Sequence, residues 1–142
     1  MKLSVVAVGK IRERELRAVA DEYLGRIRRY VRMDEIEVSS DAVLERALPD
    51  GATIVALDPH GDALTSSAFA KKVESFGRRG KGDVAFVIGG AEGIPESLLR
   101  SADARLSLSS LTLPHRLARV VLFEQIYRAF TILRGEPYAR EG

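Results

Sequence analysis

Cysteine is absent from this chain, and histidine is scarce. The 142 residues include no cysteine and two histidines, His60 and His115. Without cysteine there is no disulfide, no thiol nucleophile and no thiolate metal site, which fits a cytoplasmic protein. Two histidines argue against a multi-histidine metal centre. We therefore expect a protein that holds no metal.

Long apolar runs are also missing. Hydrophobic residues make up 46% of the chain and charged residues 30%, and no stretch reaches the length of a membrane span. The apolar start at residues 1–5 is too short for a signal peptide. The sequence thus predicts a soluble protein with a real core and no membrane partner. The formal net charge of +2 is by itself weak support for a polyanionic partner.

Hydrophobic spacing predicts strands that alternate with helices along one domain. This order implies an α/β fold with a mainly parallel sheet and helices on both faces. No linker or repeat divides the chain, so residues 1–142 are predicted to form a single domain. The predicted strands are 3–8, 35–38, 53–57, 84–88 and 105–108, and the predicted helices are 13–32, 41–47, 68–76, 95–99 and 114–133, with Thr65 or Ser66 as the cap of the third helix.

Two loops of small residues follow the fourth and fifth predicted strands. The strand at 84–88 runs into Gly89-Gly90-Ala91-Glu92-Gly93, and the strand at 105–108 runs into Ser109-Ser110-Leu111-Thr112-Leu113-Pro114. Glycine and serine give little steric cover, so that a ligand can approach the backbone closely. Two such loops at strand ends predict one ligand site between them.

Each loop alone also has a simpler interpretation. A glycine-rich strand end is about as often a tight turn as a ligand cradle, and hydroxyl residues before a proline commonly cap a helix. The first loop has neither the G-x-G-x-x-G spacing nor the Lys-Ser/Thr of a P-loop. No nucleophile, base or metal cluster accompanies the pair, which favours a reaction driven by an activated cofactor.

Basic residues concentrate around the first helix, around the loop at 77–82 and along the last helix. We expect two sets to be uncompensated by nearby acids and to contact phosphate: Arg78, Arg79 and Lys81 in the loop, and Arg116 and Arg119 after Pro114. Arg128 has a simpler structural interpretation, an ion pair with Glu124 one helical turn earlier.

The last helix and the tail offer further candidates. Apolar residues surround most of the predicted helix 114–133, and this excess suggests a subunit interface. His115 either contacts substrate or is structural, and His60 is predicted to be a solvated loop residue. The tail at 135–140 is predicted to fray, unless Tyr138 and the nearby Arg140 stack on a nucleotide and clamp it.

Several segments taken together resemble the SPOUT methyltransferases, in particular their RlmH (YbeA) type, over essentially the whole chain. The order of the Ile-Gly-Gly and Leu-Thr-Leu-Pro-His motifs is highly specific. The matching segments are the strand at 1–9, Leu57-Asp58 with Gly61, Ser66-Ser67-Ala68-Phe69-Ala70, Ile88-Gly89-Gly90-Ala91-Glu92-Gly93, Leu108-Ser109-Ser110-Leu111-Thr112-Leu113-Pro114-His115 and Glu124-Gln125-Ile126-Tyr127-Arg128-Ala129.

This resemblance implies a fold, a cofactor and a reaction. Residues from roughly 84 to 142 would form a deep trefoil knot, an exception to the rule that chains do not thread loops. The knot would bind S-adenosylmethionine, and the protein would be a homodimer packed partly through its last helix. The family methylates N3 of a pseudouridine in a stem-loop of large-subunit (23S) ribosomal RNA, acting on assembled 70S ribosomes.

The same resemblance implies roles for individual residues. The tail would reach the RNA, and the catalytic candidates are Tyr138, Arg128 and Arg140, with no evident general base. The charge pattern adds Arg78, Arg79, Lys81 and Arg116 as residues that would contact the RNA, with His115 beside the ligand loop. The cofactor would be held, largely through backbone groups, by Leu57, Gly89, Gly90, Leu108, Ser109, Ser110, Leu111, Thr112 and Leu113.

One position departs from the family pattern. The family typically ends Pro-Tyr-His-Arg or Pro-Tyr-His-Lys, and this chain has Ala139 where the histidine belongs. The departure motivates a rival function, an RNA-binding or ribosome-binding member of the family that is catalytically impaired. A second rival is a flavodoxin-like α/β protein that binds a small nucleotide and has no knot.

Overall fold

A five-stranded sheet forms the centre of the protein. The computed structural model describes residues 1–141, and their side chains as far as Ala139. The strands lie in the order β2-β1-β4-β3-β5, and the neighbouring strands run parallel. This confirms the predicted parallel sheet. The strands are β1 (Lys2–Val8), β2 (Arg32–Val38), β3 (Thr53–Ala63), β4 (Val84–Ile88) and β5 (Ala104–Ser107).

Helical segments cover both faces of this sheet, but unequally. The longest helices, α1, α2 and α4, share one face, where α4 packs against α1 and α2. The opposite face carries a smaller core around Val6, Leu44, Val87 and Leu98. The helices are α1 (Arg14–Ile27), α2 (Ser66–Phe76), α3 (Glu96–Ser101) and α4 (His115–Leu133), with short 3-10 helices at Asp41–Val43, Glu45–Ala47 and Pro137–Glu141.

Side-chain alternation explains why the strands divide the core in this way. Along β4 every residue is buried. Phe86 points into the main core, whereas its neighbour Val87 contributes to the smaller one. Successive side chains of a strand point to opposite faces, so a strand buried on both faces reads as the continuous apolar run seen in the sequence.

Most predicted elements differ from the observed ones by one to three residues at an end, and three differ further. The predicted helix 13–32 ends at Ile27, because Arg32 and Met33 pair with β1 instead. The predicted helix 41–47 is two 3-10 turns, and no side chain caps the first of them. The predicted turn after Leu57 is part of β3, where a bulge places Leu57 and Asp62 opposite the same residue of β5.

The predicted cap of α2 is confirmed, although the helix begins at Ser66, two residues before its predicted start. Thr65 has extended backbone angles, and its hydroxyl oxygen accepts a hydrogen bond from the backbone N–H of Ala68 at 3.1 Å. Such a bond satisfies one of the donors that every helix leaves free at its first turn. Thr65 rather than Ser66 is therefore the cap, and the Ser66 hydroxyl instead donates to the side-chain oxygen of Gln125 on α4.

Most of the apolar surface of α4 is buried within the single chain. Leu122, Phe123 and Ile126 are fully buried against the sheet and the neighbouring helices. Leu117, near the start of α4, remains 37% exposed, and Leu111 in the preceding loop is 76% exposed. The exposed apolar surface of α4, which suggested a subunit interface, is thus smaller than the sequence predicted. No helix in the described part of the chain has the length and apolarity needed to cross a membrane.

A buried ionic cluster ties α4 to the first two strands. Arg119 is fully buried, and its guanidinium donates to the carboxylates of Glu35 and Glu37 on β2. The same group donates to the carbonyl oxygens of Val8 at 3.2 Å and Gly9 at 2.9 Å. Arg119 is therefore a structural residue, and the prediction that it contacts phosphate is wrong.

The Glu35 carboxylate in this cluster makes stability depend on pH. Burial by itself raises its pKa, but hydrogen bonds from Arg17 and Arg119 outweigh burial and hold the pKa below the ordinary value of 4.5. A carboxyl group whose pKa is lower in the folded protein stabilises the fold above its ordinary pKa. That stability is lost as the pH falls through the lowered value.

We accordingly expect the free energy of unfolding to fall as the pH drops below about 4.5, and the fall to be shallower in Glu35→Gln. Urea denaturation at a series of pH values between about 6 and 3 measures it. Glu45→Gln is the matched control, because Glu45 is exposed and should leave the pH profile unchanged. Equal slopes for wild type and Glu35→Gln would contradict the assignment.

Candidate functional site

One large cavity lies at the carboxyl ends of β3, β4 and β5. Its volume is about 760 Å³, within the range of small-molecule sites. Ligands of open parallel sheets bind at this edge. Three segments form most of the wall, at 57–60, 88–94 and 107–115. All nine predicted cofactor residues line it: Leu57, Gly89, Gly90, Leu108, Ser109, Ser110, Leu111, Thr112 and Leu113.

Close packing explains the glycines of the first loop. A methyl group added to Gly89 would come within 2.7 Å of the backbone nitrogen of Ile94, and one on Gly90 would lie 3.0 Å from the Val8 side chain. Gly93 has a φ of +82°, which favours glycine, and its N–H donates to the carbonyl of Gly90 at 3.1 Å. The loop is thus a tight turn that also forms part of the cavity wall. The two interpretations of the glycine-rich segment, a tight turn and a ligand cradle, are therefore compatible.

Hydroxyl groups hold the second loop in place. The Ser107 hydroxyl donates to the carbonyl of Ser109 at 3.0 Å, and the Ser109 hydroxyl accepts from the backbone N–H of Leu111 at 2.9 Å. Local bonds of this kind shape a turn without help from a helix or sheet. Pro114 then caps α4, and His115 is its first residue, half-buried at the cavity wall.

The charge of the cavity wall suits a cationic ligand. Its titratable residues are Asp58, His60, Glu92 and His115, with no lysine or arginine among the lining residues that the structure describes. Asp58 lies 3.8 Å from a guanidinium nitrogen of Arg105 outside the wall. S-adenosylmethionine carries a sulfonium and an ammonium group, whereas a nucleotide would bring phosphates next to two carboxylates. The wall therefore fits the former, and disfavours the small-nucleotide rival.

Comparison with known proteins settles the family. A family model described as "Predicted SPOUT methyltransferase" matches residues 1–139. This chain belongs to the SPOUT methyltransferase family.

Relatives at high identity agree with this SPOUT assignment. A Sorangium cellulosum protein named Ribosomal RNA large subunit methyltransferase H is 57% identical over 98% of this chain and 99% of that protein. A protein of the same name from Acetivibrio thermocellus is 41% identical over 99% of this chain and 100% of its own length. That alignment spans 160 positions against 142 residues here, so the A. thermocellus protein contains insertions that this chain lacks.

Solved structures support the SPOUT fold alone, because their sequence identities are low. A probable methylase family protein from Haemophilus influenzae superposes with a TM-score of 0.63 at 12% identity, covering 96% of this chain and 69% of that one. The SpoU methyltransferase AviRb from Streptomyces viridochromogenes, in complex with AdoMet, gives a TM-score of 0.50 at 14% identity, covering 89% of this chain and 57% of that one.

The SPOUT tail residues lie outside the cavity of their own chain. The Tyr138 hydroxyl donates to the Glu124 carboxylate at 2.7 Å, and Arg128 donates to the same carboxylate at 2.8 Å. The Tyr138 ring also packs edge-on against Tyr127, with ring centres 4.6 Å apart. The prediction that the tail frays is therefore wrong as far as Ala139, and the predicted Arg128–Glu124 pair is confirmed. The side chain of Arg140 lies outside the described residues.

The environment of Tyr138 suits a hydrogen-bond donor that keeps its proton rather than a base. Burial raises the pKa of its phenol well above the ordinary value of 10.0, and the hydrogen bond to the Glu124 carboxylate raises it further. A phenol that holds its proton so firmly at neutral pH is a poor general base.

The predicted RNA-contacting residues are divided between two ends of the sheet. His115 and Arg116 start α4 at the cavity edge, whereas Arg78, Arg79 and Lys81 precede β4 and so lie at the opposite, amino edge. Acids compensate each of the lysine and arginine side chains among these residues, against the sequence prediction. The pairs are Arg78–Glu74 at 3.0 Å, Arg79–Asp103 at 3.3 Å, Lys81–Asp83 at 3.6 Å and Arg116–Glu13 at 2.9 Å.

Sequence reasoning missed Asp41 at this site. Its carboxylate is only 9% exposed and accepts a hydrogen bond from the backbone N–H of Gly90 at 2.7 Å. One signal was present, because an acid just after a parallel strand belongs to the same sheet edge as the ligand loops. Within residues 1–141, no group of three or more potential metal ligands comes together.

Proposed function

We propose that this protein transfers a methyl group from S-adenosylmethionine to N3 of a pseudouridine in large-subunit ribosomal RNA, on assembled ribosomes in the cytoplasm. The observation that carries the proposal is the cavity, because all nine residues matching the family's cofactor motifs line its wall. The Sorangium cellulosum relative, named as a ribosomal RNA large subunit methyltransferase, supports the choice of RNA.

The cofactor would lie between the loops at 88–94 and 107–115, held by their backbone groups and by Leu57. Its bound sulfonium supplies an electrophilic methyl group. Apolar side chains of the wall, such as Leu108 and Leu113, exclude water from the adenosine. The carboxylates of Asp58 and Glu92 favour the positive charges of the donor. The protein's contribution is therefore chiefly to bind and to orient.

The target base must lose its N3 proton as the methyl group arrives. The titratable residues of the cavity wall, Asp58, His60, Glu92 and His115, are the candidate general bases among the described residues, whereas Tyr138 lies outside the cavity and holds its own proton too firmly to be one. One of these groups, water or the surrounding RNA then takes the proton. Positive charge from Arg116, Arg128 or Arg140 would favour the anion that develops on the base.

A homodimer would bring the tail and the cavity together. Tyr138 and Arg128 lie outside the cavity of their own chain, so the tail of one subunit would serve the RNA bound at the cavity of the other. The exposed Leu111 and Leu117, beside the cavity and at the start of α4, would be covered in such a dimer. Residues 84–142 would form the trefoil knot of the family.

The proposal predicts a methylated product despite the missing tail histidine. We expect the wild-type chain to transfer label from S-adenosylmethionine to ribosomes that lack the modification, and mass spectrometry of digested ribosomal RNA to find methylpseudouridine. Ala139→His serves as the parallel variant, and we expect it to change the rate but not the product.

Other outcomes separate the remaining functions. Absence of product from wild type, with retained cofactor binding and rescue by Ala139→His, would support the catalytically impaired, ribosome-binding alternative. Absence of both product and cofactor binding would contradict the two functions together. A dimer-breaking charge at Leu117 that left activity intact would contradict the shared site.

A further inference from the structure

The loop that carries Gly89 and Gly90 is tied to a segment far from it in sequence. Asp41 begins the first 3-10 turn after β2, 49 residues before Gly90. In the sheet, β1 lies between β2 and β4. The turn therefore crosses the carboxyl end of β1 to reach the end of β4, where the Asp41 carboxylate accepts the Gly90 N–H at 2.7 Å.

The polar backbone groups of Gly90 are thus both engaged inside the protein. Its N–H donates to Asp41, and its carbonyl accepts from the N–H of Gly93 at 3.1 Å. An N–H group has one hydrogen to donate, so the cofactor has no free donor at Gly90. This residue shapes the wall, and any N–H that donates to the ligand must come from its neighbours in the loop, although the Gly90 carbonyl oxygen can still accept a second hydrogen bond.

Few other contacts hold the Gly89–Gly90 loop in its observed shape. On one side Gly90 meets the Val8 side chain, and Gly89 lies against the backbone of Gly93 and Ile94. These contacts are apolar or within the loop itself, whereas the Asp41 bond is charge-assisted and comes from another element of the fold. Hydrogen bonds to a charged partner are roughly twice as strong as neutral ones. Removing this bond would leave a partly buried N–H without its acceptor.

We propose that Asp41 is a positioning residue for the cofactor: its carboxylate fixes the Gly89–Gly90 loop in the shape that S-adenosylmethionine requires. The inference rests on the proposed function, because it assigns the loop to that ligand. Asp41 does not line the cavity, so it acts on affinity through Gly90 rather than by touching the cofactor.

The test compares three substitutions by isothermal titration calorimetry with S-adenosylmethionine and S-adenosylhomocysteine. Asp41→Ala removes the acceptor, and we expect both dissociation constants to rise about tenfold or more. Asp41→Asn retains an acceptor oxygen in the same place, and we expect a change of about threefold or less. Glu45→Ala, an exposed carboxylate in the next turn, is the control and should bind as wild type does.

Two further readouts distinguish positioning from a general loss of structure. The KM for the cofactor should rise in Asp41→Ala while kcat at saturation stays within about twofold of wild type. Amide hydrogen exchange should find the Gly90 N–H protected in the wild-type protein without ligand, and exchanging at least about tenfold faster in Asp41→Ala. The wild-type measurement needs no variant, so it decides the question even if Asp41→Ala fails to fold.

Each contrary result has a distinct meaning. Unchanged affinity in Asp41→Ala, an unprotected Gly90 amide in wild type, or Asp41→Asn as weak as Asp41→Ala would overturn the inference and leave the proposed function standing. A wild-type protein that binds neither ligand would overturn both.

Discussion

Arg119→Met lowers the free energy of unfolding by about 3 to 5 kcal/mol, the loss expected when one partner of a buried ionic cluster is removed. The substitution keeps a long side chain and so isolates the loss of charge and of hydrogen bonds from the loss of volume. Arg119 is fully buried and contacts groups on two strands. Without it, the Glu35 and Glu37 carboxylates and two backbone carbonyls at the end of β1 lose a donor.

The measurement is urea denaturation at pH 7, with Arg116→Met as the matched control. Arg116 stands one helical turn before Arg119, but it is partly exposed and pairs with Glu13 at 2.9 Å. An exposed pair of this kind contributes about 0 to 1 kcal/mol. Equal stability of Arg119→Met and Arg116→Met would refute the account.

Gly61→Ala separates β3 from β5 and abolishes cofactor binding. A methyl group at Gly61 would lie 2.6 Å from the carbonyl carbon of Arg105 and 2.7 Å from the backbone nitrogen of Leu106. Both atoms belong to the backbone of the neighbouring strand, which cannot rotate away as a flexible side chain can. We expect a loss of about 3 kcal/mol or more, at the upper end for overpacking.

The effect on binding follows from the position of Gly61. It directly follows the segment at 57–60, which forms one wall of the cavity. Gly25→Ala makes the same chemical change on the exposed side of α1, where an added methyl group meets nothing within 4 Å. We expect this control to stabilise the protein by roughly 0.5 to 1 kcal/mol, because alanine is the better helix former. Thermal or urea unfolding measures the stability of both variants, and calorimetric titration measures their affinity for the cofactor. A Gly61→Ala protein as stable as Gly25→Ala would contradict the close approach of Gly61 to the backbone of β5.

Strands that are buried on both faces were the most predictable part of the fold. The run at 84–88 was predicted with its observed bounds, because a continuous apolar stretch between glycines has few other interpretations. The sequence also predicted that the two ligand loops lie side by side, because the carboxyl ends of parallel strands meet at one edge of the sheet. The pattern of neighbouring residues was sufficient to predict an element wherever those residues alone determine its structure.

Element ends that depend on distant partners were not predictable. Helical spacing continues past Ile27, but Arg32 pairs with Lys2 in the sheet, and that pairing ends the helix. Likewise, nothing around Arg119 indicates that its carboxylate partner Glu35 lies 84 residues earlier. Tertiary contacts of this kind override local propensity.

The basic residues illustrate the same limit on the surface. Arg79 was predicted to be uncompensated by nearby acids, yet Asp103 reaches it from 24 residues away. Exposed pairs of this kind contribute little stability and can be exchanged for a phosphate at small cost. RNA contact by Arg78, Arg79, Lys81 and Arg116 therefore remains a prediction.

The strand order has a consequence for how the chain folds during synthesis. The central strand, β4, is the fourth to leave the ribosome, and β3 meets β1 only through it. A nascent chain that ends before residue 84 therefore holds β1 and β3 with unpaired edges. Pairing of such distant segments is slow, and exposed edges invite aggregation until the partner arrives. The five-stranded sheet is complete only after β4 and β5 have emerged, and the cavity cannot form before the segment at 107–115 has left the ribosome.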